Sequence, residues 1–445
     1  MSVLEELARR GRRAAGQADA GTRSLAALHV LDTLGCVVAG SSHPLAAQLA
    51  RFTTDTGDRR EPGELYTPAL AGRHTLRTTV WAESVLAHAD EYDALHPAAA
   101  VVPAAVVVPA ALAVADREGR PGRAVVDAVI SGYEVVVEAG LRFGGPRLYG
   151  TAWWPTAVFG ALGSAAATAS LLDLDHGETT AALGLAAAGL GGLLSADELG
   201  AGHYLLTGRA AADGTEAAHL ARIGARASGT LLDGPAAAAL GTPAAPSSPG
   251  AEPHLNDCAF KAYPCARPLH AALDALETLA VQELPVATAR RVEIRLPEAL
   301  LRFVTADRAP AGPTEAAASA VFAVAAWLHG AAADVGFFRG ALPPGVPEVT
   351  LGHAPELDAH LPDRWGARVI VDLADGRRVE KEALGGGGGA ARPLPDEAVT
   401  DKFRRIVGAD EGDDLWEQWI TQCLSLDTVP DIGDLRHTLC RLLRR

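Results

Sequence analysis

The sequence is poor in cysteine, and its few cysteines are not arranged to hold a metal cluster. Five cysteines are scattered over 445 residues without a Cys-x-x-Cys pair: Cys36, Cys258, Cys265, Cys423 and Cys440. Zinc ribbons and most iron–sulfur sites use such pairs, so we expect neither kind of site. An odd number of isolated thiols indicates reduced cysteines, which predicts a cytoplasmic protein.

The sequence also lacks an excess of positive charge and a nucleotide-binding motif. Its formal net charge is −15, and no run of Lys and Arg forms a phosphate-binding stripe, so nucleic acid and anionic membrane surfaces are not expected partners. The glycines at 189–192 do not match Gly-x-Gly-x-x-Gly, and no Walker sequence is present. We therefore expect a small-molecule substrate and no cofactor.

Neither a secretory signal nor a membrane span is indicated. Residues 1–17 lack an apolar stretch and have the pattern of an amphipathic helix. The apolar run at 97–115 is almost long enough to cross a bilayer, but Pro103 and Pro109 interrupt it. We predict that this run is a buried core helix.

Alanine, leucine and valine are abundant, and they predict a mainly α fold. Hydrophobic residues make up 49% of the chain and aromatic residues only 5%, so the core is built from small and aliphatic side chains. Such compositions favour helices. Helical patterns dominate residues 20–245, as at 156–172 and 179–194, and they return at 396–445.

Strand patterns appear only in the second half of the chain. Apolar and charged residues alternate at 292–296, and residues 369–384 predict a hairpin around Asp375-Gly376. We predict a large all-helical domain, begun by residues 1–255 and completed by 391–445, with an inserted smaller α+β domain at 256–390. The five glycines at 385–389 predict a flexible linker.

A polar segment at 88–97 interrupts the apolar sequence. It reads His-Ala-Asp-Glu-Tyr-Asp-Ala-Leu-His-Pro and places three carboxyl groups and two imidazoles close together. Apolar packing raises the pKa of a carboxyl group and a neighbouring imidazolium lowers it. Such groups can titrate near neutral pH, as proton-transfer catalysis requires. The alternative interpretation is a solvated loop between two helices.

A second block, at 260–265, reads Phe-Lys-Ala-Tyr-Pro-Cys and contains Lys261, one of only three lysines in the chain. Arginine supplies the other cations. Lysine can lose its proton, whereas arginine stays charged. Lys261 is therefore a candidate for a chemical role, and the alternative is a surface lysine near a domain boundary.

Blocks along nearly the whole chain resemble the MmgE/PrpD family, which includes 2-methylcitrate dehydratase, cis-aconitate decarboxylase and iminodisuccinate epimerase. The similar blocks lie at 31–35, 88–103, 132–135, 155–157, 208–211, 260–265 and 361–365. The resemblance implies a large helical domain with a smaller α+β lid. It also implies a homodimer whose site lies between domain and lid and uses no metal.

The resemblance assigns site residues within the polar segment. The family segment reads His-x-x-Asp-Phe-Asp-Asp-Thr, followed by His-Pro. Here Glu91 stands at the first Asp, Tyr92 and Asp93 follow it, and Leu95 stands at the Thr. His96 matches the His that precedes Pro. The segment therefore keeps candidate acids and bases but loses a hydroxyl group.

Three further positions depart from the family pattern, while Lys261 matches it. Trp154 stands in place of a His, His203 in place of a Lys, and Phe322 in place of a Tyr. A tricarboxylate needs several cationic or hydrogen-bonding partners, which these replacements remove. We expect an apolar, aromatic substrate pocket lined by Tyr92, Leu95, Trp153, Trp154, Tyr263 and Phe322.

We interpret the chain as a metal-independent lyase, a dehydratase or decarboxylase, acting next to a carbonyl or carboxyl group of a small specialised metabolite. Lys261 would stabilise a developing enolate or carboxylate. His96 would be the general acid or base, oriented by Asp93 or Glu91, with His203 as a second proton carrier. One helical turn would bring Asp93 and His96 together.

Two alternatives stay open at this point. A cyclase, isomerase or epimerase of a biosynthetic intermediate would use the same acid–base groups. A non-catalytic dimer on the same scaffold would bind a metabolite in an apolar pocket without turnover.

Overall fold

The fold is described by a computed structural model that covers residues 1–56, 65–194, 200–247, 252–282, 288–388, 392–409 and 412–444. Helices occupy 59% of it and strands 9%. The mainly α fold with a small α+β part, predicted from the sequence, is therefore confirmed.

The first half of the chain is helical. Its helices are α1 (Val3–Gln17), α2 (Ala20–Ser41), α3 (Pro44–Asp55), α4 (Leu76–His88), α5 (Pro103–Arg117), α6 (Gly122–Arg142), α7 (Pro155–Leu171), α8 (His176–Ala188) and α9 (Ala201–Arg222). A short antiparallel ladder of β1 (Leu65–Tyr66) and β2 (Arg73–His74) lies between α3 and α4. Helix α8 stops before the predicted 194, because the glycines that follow it favour helix termination.

The core of the helical part is formed by closely packed helices of small residues. Helix α7 packs against α6 and α9, and α5 packs against α7. Every residue of α5 from Pro103 to Ala115 is buried, which confirms the predicted core helix. Among the described residues, α2 is the one helix long and apolar enough to cross a membrane, and 83% of its most apolar stretch is buried inside the protein.

The α+β part follows. Its helices are α10 (His270–Val281), α11 (Glu298–Leu301), α12 (Pro313–Ala318), α13 (Ala320–Leu328), α14 (Val335–Arg339) and α15 (Pro355–Asp358). Its sheet has the order β4-β3-β5-β6, formed by β3 (Ala289–Leu296), β4 (Glu348–His353), β5 (Ala367–Leu373) and β6 (Arg378–Ala383). Strand β3 is parallel to β4 and antiparallel to β5.

The sheet contains the predicted strand and hairpin together with one strand that the sequence pattern did not indicate. Strands β5 and β6 form an antiparallel hairpin, and Gly376 in its turn has a φ of 90°, a conformation that glycine adopts without strain. Strand β4 was missed because only Val349 among its residues is buried, so no apolar alternation marks it.

The chain then returns to the helical part through α16 (Asp396–Val407), α17 (Asp414–Leu424) and α18 (Ile432–Leu442). Aromatic side chains of α16 and α17 join the core of the helical part, whereas apolar residues between 265 and 373 form a separate core. Arg436 of α18 is tied to α4 by a buried ion pair with Glu83 at 2.7 Å. The exact domain boundaries stay a prediction.

The glycine run is not a flexible linker in its described part, 385–388, contrary to the prediction; Gly389 lies outside the described residues. The carbonyl oxygens of Gly386 and Gly387 accept hydrogen bonds from the Arg267 guanidinium at 3.0 and 2.9 Å. Glycine suits this run because its backbone approaches other chain segments closely.

A glycine in α9 allows the close helix packing, and its replacement provides a test. An alanine Cβ at Gly214 would overlap the carbonyl oxygen of Ala161 on α7. Gly→Ala normally stabilises a helix by about 1 kcal/mol, but overpacking costs about 1–3 kcal/mol. We expect Gly214→Ala to lower the free energy of unfolding in urea, whereas Gly16→Ala, at an open position of α1, does not. Equal effects of the two changes would contradict this packing.

Candidate active site

A cavity lies between the helical part and the α+β part. Its empty volume is about 740 Å³, including the space at its mouth. The helical part contributes the end of α4, the segment after it, and the beginnings of α7 and α9. The α+β part contributes residues between 261 and 268, 303 and 318, and Trp365. The cavity is therefore closed by both parts of the fold.

One wall of the cavity is polar and carries an ion pair between a buried lysine and a partly buried glutamate. Lys261 Nζ lies 2.7 Å from Glu91 Oε2, and Lys261 is only 1% exposed. Burial alone would raise the pKa of Glu91, but the Lys261 ammonium, followed by His88 and His203, lowers it to about 2. Glu91 is thus held as a carboxylate and Lys261 as its ammonium partner.

Two imidazoles complete the polar wall, and their environments favour different protonation states. His88 Nδ1 donates to Asp93 Oδ1 at 2.8 Å, and the His88 and His203 Nε2 atoms lie 3.4 Å apart. Burial opposes protonation of His88, but Asp93 and Glu91 overcome it and raise the pKa of His88. Burial and the neighbouring His88 lower the pKa of His203 to about 3. A protonated and a neutral imidazole therefore face each other.

The backbone of the polar segment turns sharply to place these side chains. Helix α4 ends at His88, and Glu91 has a φ of 52°, in the left-handed region that few side chains adopt. The backbone of Leu95 then exchanges hydrogen bonds with Ala259 at 3.0 and 2.7 Å. This short bridge brings Lys261 alongside Glu91.

Lys402 of α16 lies outside the cavity lining and binds the backbone on both sides of the Lys261 and Glu91 pair. Its Nζ lies 2.7 Å from Asp32 Oδ1, 2.6 Å from the Tyr92 carbonyl oxygen and 3.4 Å from the Lys261 carbonyl oxygen. Burial opposes the charge of Lys402, but Asp32 raises its pKa. The ammonium therefore ties the backbone next to Glu91 to the backbone of Lys261.

The remaining walls are largely aromatic. Trp154 stacks on His203 with 3.9 Å between ring centres, and the Tyr204 hydroxyl lies 3.4 Å from Glu91 Oε1. The other aromatic lining residues are Tyr149, Phe303 and Trp365. This surface suits a substrate with an apolar or unsaturated part.

Five of the residues selected from the sequence line the cavity. They are Glu91, Leu95, Trp154, His203 and Lys261. They come from the segment after α4, the start of α7, α9 and the block at 260–265, which are far apart in the sequence. The fold thus brings together Lys261, which matches the family pattern, and four of the positions that depart from it.

The expected pair of Asp93 and His96 is not formed, which corrects the sequence-based interpretation. Asp93 is bonded to His88, while His96 Nδ1 accepts from the Ala99 backbone N–H at 3.1 Å and lies outside the cavity lining. The expected helical turn does not form, because His96 lies in an extended bridge with Val101. Burial and a neighbouring histidine lower the pKa of His96 to about 3.

Four residues expected to bind substrate do not line the cavity. The Tyr92 hydroxyl donates to backbone carbonyls at 3.2 and 3.3 Å, and the Tyr263 hydroxyl donates to Asp274 at 3.3 Å. Phe322 belongs to the core of the α+β part, and Trp153 lines a separate apolar cavity. These four side chains therefore contribute to the packing of the protein interior, and none of them forms part of the cavity wall.

Several lining residues were not selected from the sequence. His88 stands in the polar segment, but its pairing with Asp93 spans five positions and matches no regular spacing. Two others had a weak signal, because Tyr204 follows His203 and Arg267 lies close to the lysine block. The other aromatic lining residues are Tyr149 and Phe303, which no local pattern marks, and Trp365, which stands in the family-like block at 361–365 but was not selected as a site residue.

Two groups of potential metal ligands occur among the described residues. His88, Glu91 and His203 offer ligand atoms within 4.8 Å of one another, and a second such group includes His96 and His254. The expectation of no metal relied on local sequence spacing and on the family resemblance, whereas the fold assembles the first group from the end of α4, the segment after it and α9. Metal-independent catalysis therefore stays a prediction.

Comparisons with known proteins agree with the resemblance seen in the sequence. The family model described as MmgE/PrpD N-terminal domain matches residues 14–241, and that described as MmgE/PrpD C-terminal domain matches residues 263–426. The chain is 26% identical to "Cis-aconitate decarboxylase-like protein oryM" of Aspergillus oryzae, over 91% of this chain and 90% of that protein. The suspected family resemblance is confirmed.

The pair of His88 and Asp93 predicts a pH-dependent effect on stability. The pKa of His88 is raised in the folded protein, so the pair contributes stability that is full below about pH 6.5 and is lost as the pH rises through the folded pKa. We expect Asp93→Asn to lower the urea-derived free energy of unfolding more at pH 6 than at pH 9. The exposed Asp427→Asn serves as control, and a loss that is equal at both pH values would argue against the pair.

Proposed function

Because the chain belongs to the MmgE/PrpD family, we propose that it is a lyase whose acid–base residues act next to a carbonyl or carboxyl group of a small metabolite. The ion pair of buried Lys261 with partly buried Glu91, beside two facing imidazoles, carries this proposal. Buried titratable groups that converge on a cavity are typical of catalytic sites. A protein that only bound a metabolite would not require them.

Each polar residue of the cavity has a role that follows from its partners. The Lys261 ammonium stabilises the oxyanion of an enolate or enediolate as negative charge develops. Glu91 positions that ammonium. His88, charged and held by Asp93, donates a proton, and neutral His203 accepts one.

Decarboxylation is the favoured reaction, in keeping with the name of the Aspergillus oryzae relative. The bond between carbon and the leaving carboxylate breaks, CO₂ departs, and the electron pair passes to the adjacent carbon and its conjugated oxygen next to Lys261. His88 then protonates that carbon. In a dehydration, His203 would take the carbon-bound proton while His88 protonates the departing hydroxyl group.

Isomerisation or epimerisation is the second candidate. The observation that favours it is the 3.4 Å separation of the His88 and His203 Nε2 atoms, since one imidazole can remove a proton and the other can return one. A cyclase would use the same two groups. We favour a lyase over an isomerase or cyclase because the relative from Aspergillus oryzae is named as decarboxylase-like.

The cavity suits a substrate with less charge than a tricarboxylate. The three cationic side chains among its described lining residues are already engaged: Lys261 by Glu91, His88 by Asp93, and Arg267 by two backbone carbonyls. Leu95 and Trp154 line the cavity at positions where the family pattern has a Thr and a His. A specialised metabolite with one carboxylate and an apolar part fits these walls.

We also propose that the protein works as a homodimer in the cytoplasm, as the family resemblance and the reduced cysteines indicate. All five cysteines are free and buried. Light scattering during size-exclusion chromatography should give twice the 45.8 kDa chain mass. A monomeric mass would remove the dimer from the proposal.

The role of Lys261 predicts a large catalytic effect. Loss of one oxyanion-stabilising donor costs about 100- to 1000-fold in turnover. We expect Lys261→Ala to lower kcat for the cognate metabolite by about 100-fold or more. The matched control Lys381→Ala, on β6 outside the cavity lining, keeps wild-type kcat. Activity of Lys261→Ala within a few-fold of wild type would remove Lys261 from the mechanism.

The composition of the cavity predicts the substrate class. Purified protein should turn over cis-aconitate and 2-methylcitrate negligibly, because the engaged cations leave too few partners for three carboxylates. Product formation can be followed by chromatography with mass detection. Conversion of either acid with kcat/KM of about 10⁴ M⁻¹s⁻¹ or more, in the ordinary range of enzymes, would refute this substrate class.

A further inference from the structure

We propose that His88, Glu91 and His203 form a zinc site in the cavity and that zinc bound there blocks turnover. The first half of this proposal is independent of the proposed function, and the second half rests on it. The sequence-based expectation of no metal concerned catalysis, and an inhibitory ion is compatible with it.

The spacing of the three ligand atoms fits a tetrahedral ion. Zinc binds histidine nitrogen at about 2.0–2.1 Å in tetrahedral sites, which places neighbouring ligand atoms about 3.3–3.4 Å apart. The His88 and His203 Nε2 atoms are 3.4 Å apart, and His88 Nε2 is 3.6 Å from Glu91 Oε1. An ion between them would need only small side-chain movements, and its fourth position would face the cavity.

The hydrogen bonds of the two imidazoles leave the correct atoms for a metal. His88 Nδ1 donates to Asp93 at 2.8 Å, so when zinc displaces the other proton of this imidazolium, the free lone pair is on Nε2. His203 Nε2 faces that nitrogen, and His203 Nδ1 is buried with no hydrogen-bond partner among the described residues. Two facing ring nitrogens need a proton or a cation between them, and zinc can take the place of the proton that His88 supplies.

The surroundings of these ligands are those of a supported metal site. A carboxylate that accepts from the second nitrogen of a ligand histidine fixes its ring and increases its basicity, and Asp93 does so for His88. Trp154 stacks on the His203 ring at 3.9 Å and fixes its plane. Glu91 Oε1 can bind zinc while Oε2 keeps its contact with Lys261.

The other group of potential ligands is less suited to zinc. His96 Nδ1 accepts the Ala99 N–H, which leaves the proton on His96 Nε2, so this ring offers no lone pair. His254 Nε2 is engaged with Glu138 at 2.9 Å. His96→Gln therefore makes a matched control that changes a buried histidine outside the proposed site.

Zinc at this place would stop the proposed chemistry. It would occupy the Nε2 lone pairs of both His88 and His203, through which the proton leaves and enters the substrate. The dication would also repel the Lys261 ammonium from the site of developing negative charge. The bound ion therefore acts as an inhibitor, and its removal by a chelator restores turnover.

The binding test uses metal-stripped protein, calorimetric titration with zinc, and visible spectra of the cobalt-loaded form. We expect one zinc ion per chain and cobalt bands of a tetrahedral complex. His203→Gln and His88→Gln should weaken zinc binding by at least about 100-fold, and Asp93→Asn by about 10- to 100-fold. His96→Gln and the exposed His437→Gln should bind as wild type does.

Absence of stoichiometric zinc binding, or equal binding by wild type and His203→Gln, would overturn the site. Loss of binding in His96→Gln would assign the ion to the other group and overturn it too. The inhibition half is tested with the cognate metabolite: zinc should abolish turnover and EDTA should restore it. Turnover that persists with zinc bound, or that is lost with EDTA, would overturn that half. Failure to find any turned-over metabolite concerns the proposed function and leaves the binding result intact.

Discussion

The cost of burying a lysine ammonium is the constraint on which the site depends. An isolated buried charge is very unfavourable, so each buried ammonium needs a carboxylate and further hydrogen-bond acceptors in good geometry. Two of the three lysines are buried here, and each meets its requirement by drawing a carboxylate to 2.7 Å: Lys261 with Glu91 and Lys402 with Asp32. These two ion pairs fix the distance between the polar segment, α2, α16 and the block that leads into the α+β part.

The second lysine explains why the helices after the α+β part matter to a cavity that they do not line. Lys402 does not take part in the proposed chemistry. Its ammonium donates to the carbonyl of Tyr92, which follows Glu91 in the chain, and to the carbonyl of Lys261 itself. The left-handed backbone of Glu91 persists because these contacts over-determine it. The return of the chain to the helical part thus supports the site from behind.

The sequence predicted the helical fold, the hairpin and both polar blocks of the site, because these features are local in sequence. It did not predict which side chains of the polar segment pair with each other. Helical spacing suggested that Asp93 pairs with His96, but the backbone at His96 is extended and Asp93 pairs with His88. Of the aromatic wall residues, Trp154 was expected. Tyr149, Phe303 and Trp365 were not, because they reach the cavity only through the packing of the two parts. The glycine run suggested a flexible linker, but two of its carbonyl oxygens accept hydrogen bonds from Arg267.

The central claim is that the Lys261 ammonium stabilises a carbanion that the facing imidazoles protonate. The most direct measurement is turnover of the cognate metabolite in D₂O, with NMR detection of deuterium at the reacting carbon of product and recovered substrate. The account predicts deuterium at that carbon with wild type and with Lys381→Ala, and a rate of incorporation lower by about 100-fold or more with Lys261→Ala. Product formed by wild type without deuterium at that carbon, or an unchanged rate of incorporation in Lys261→Ala, would contradict the account.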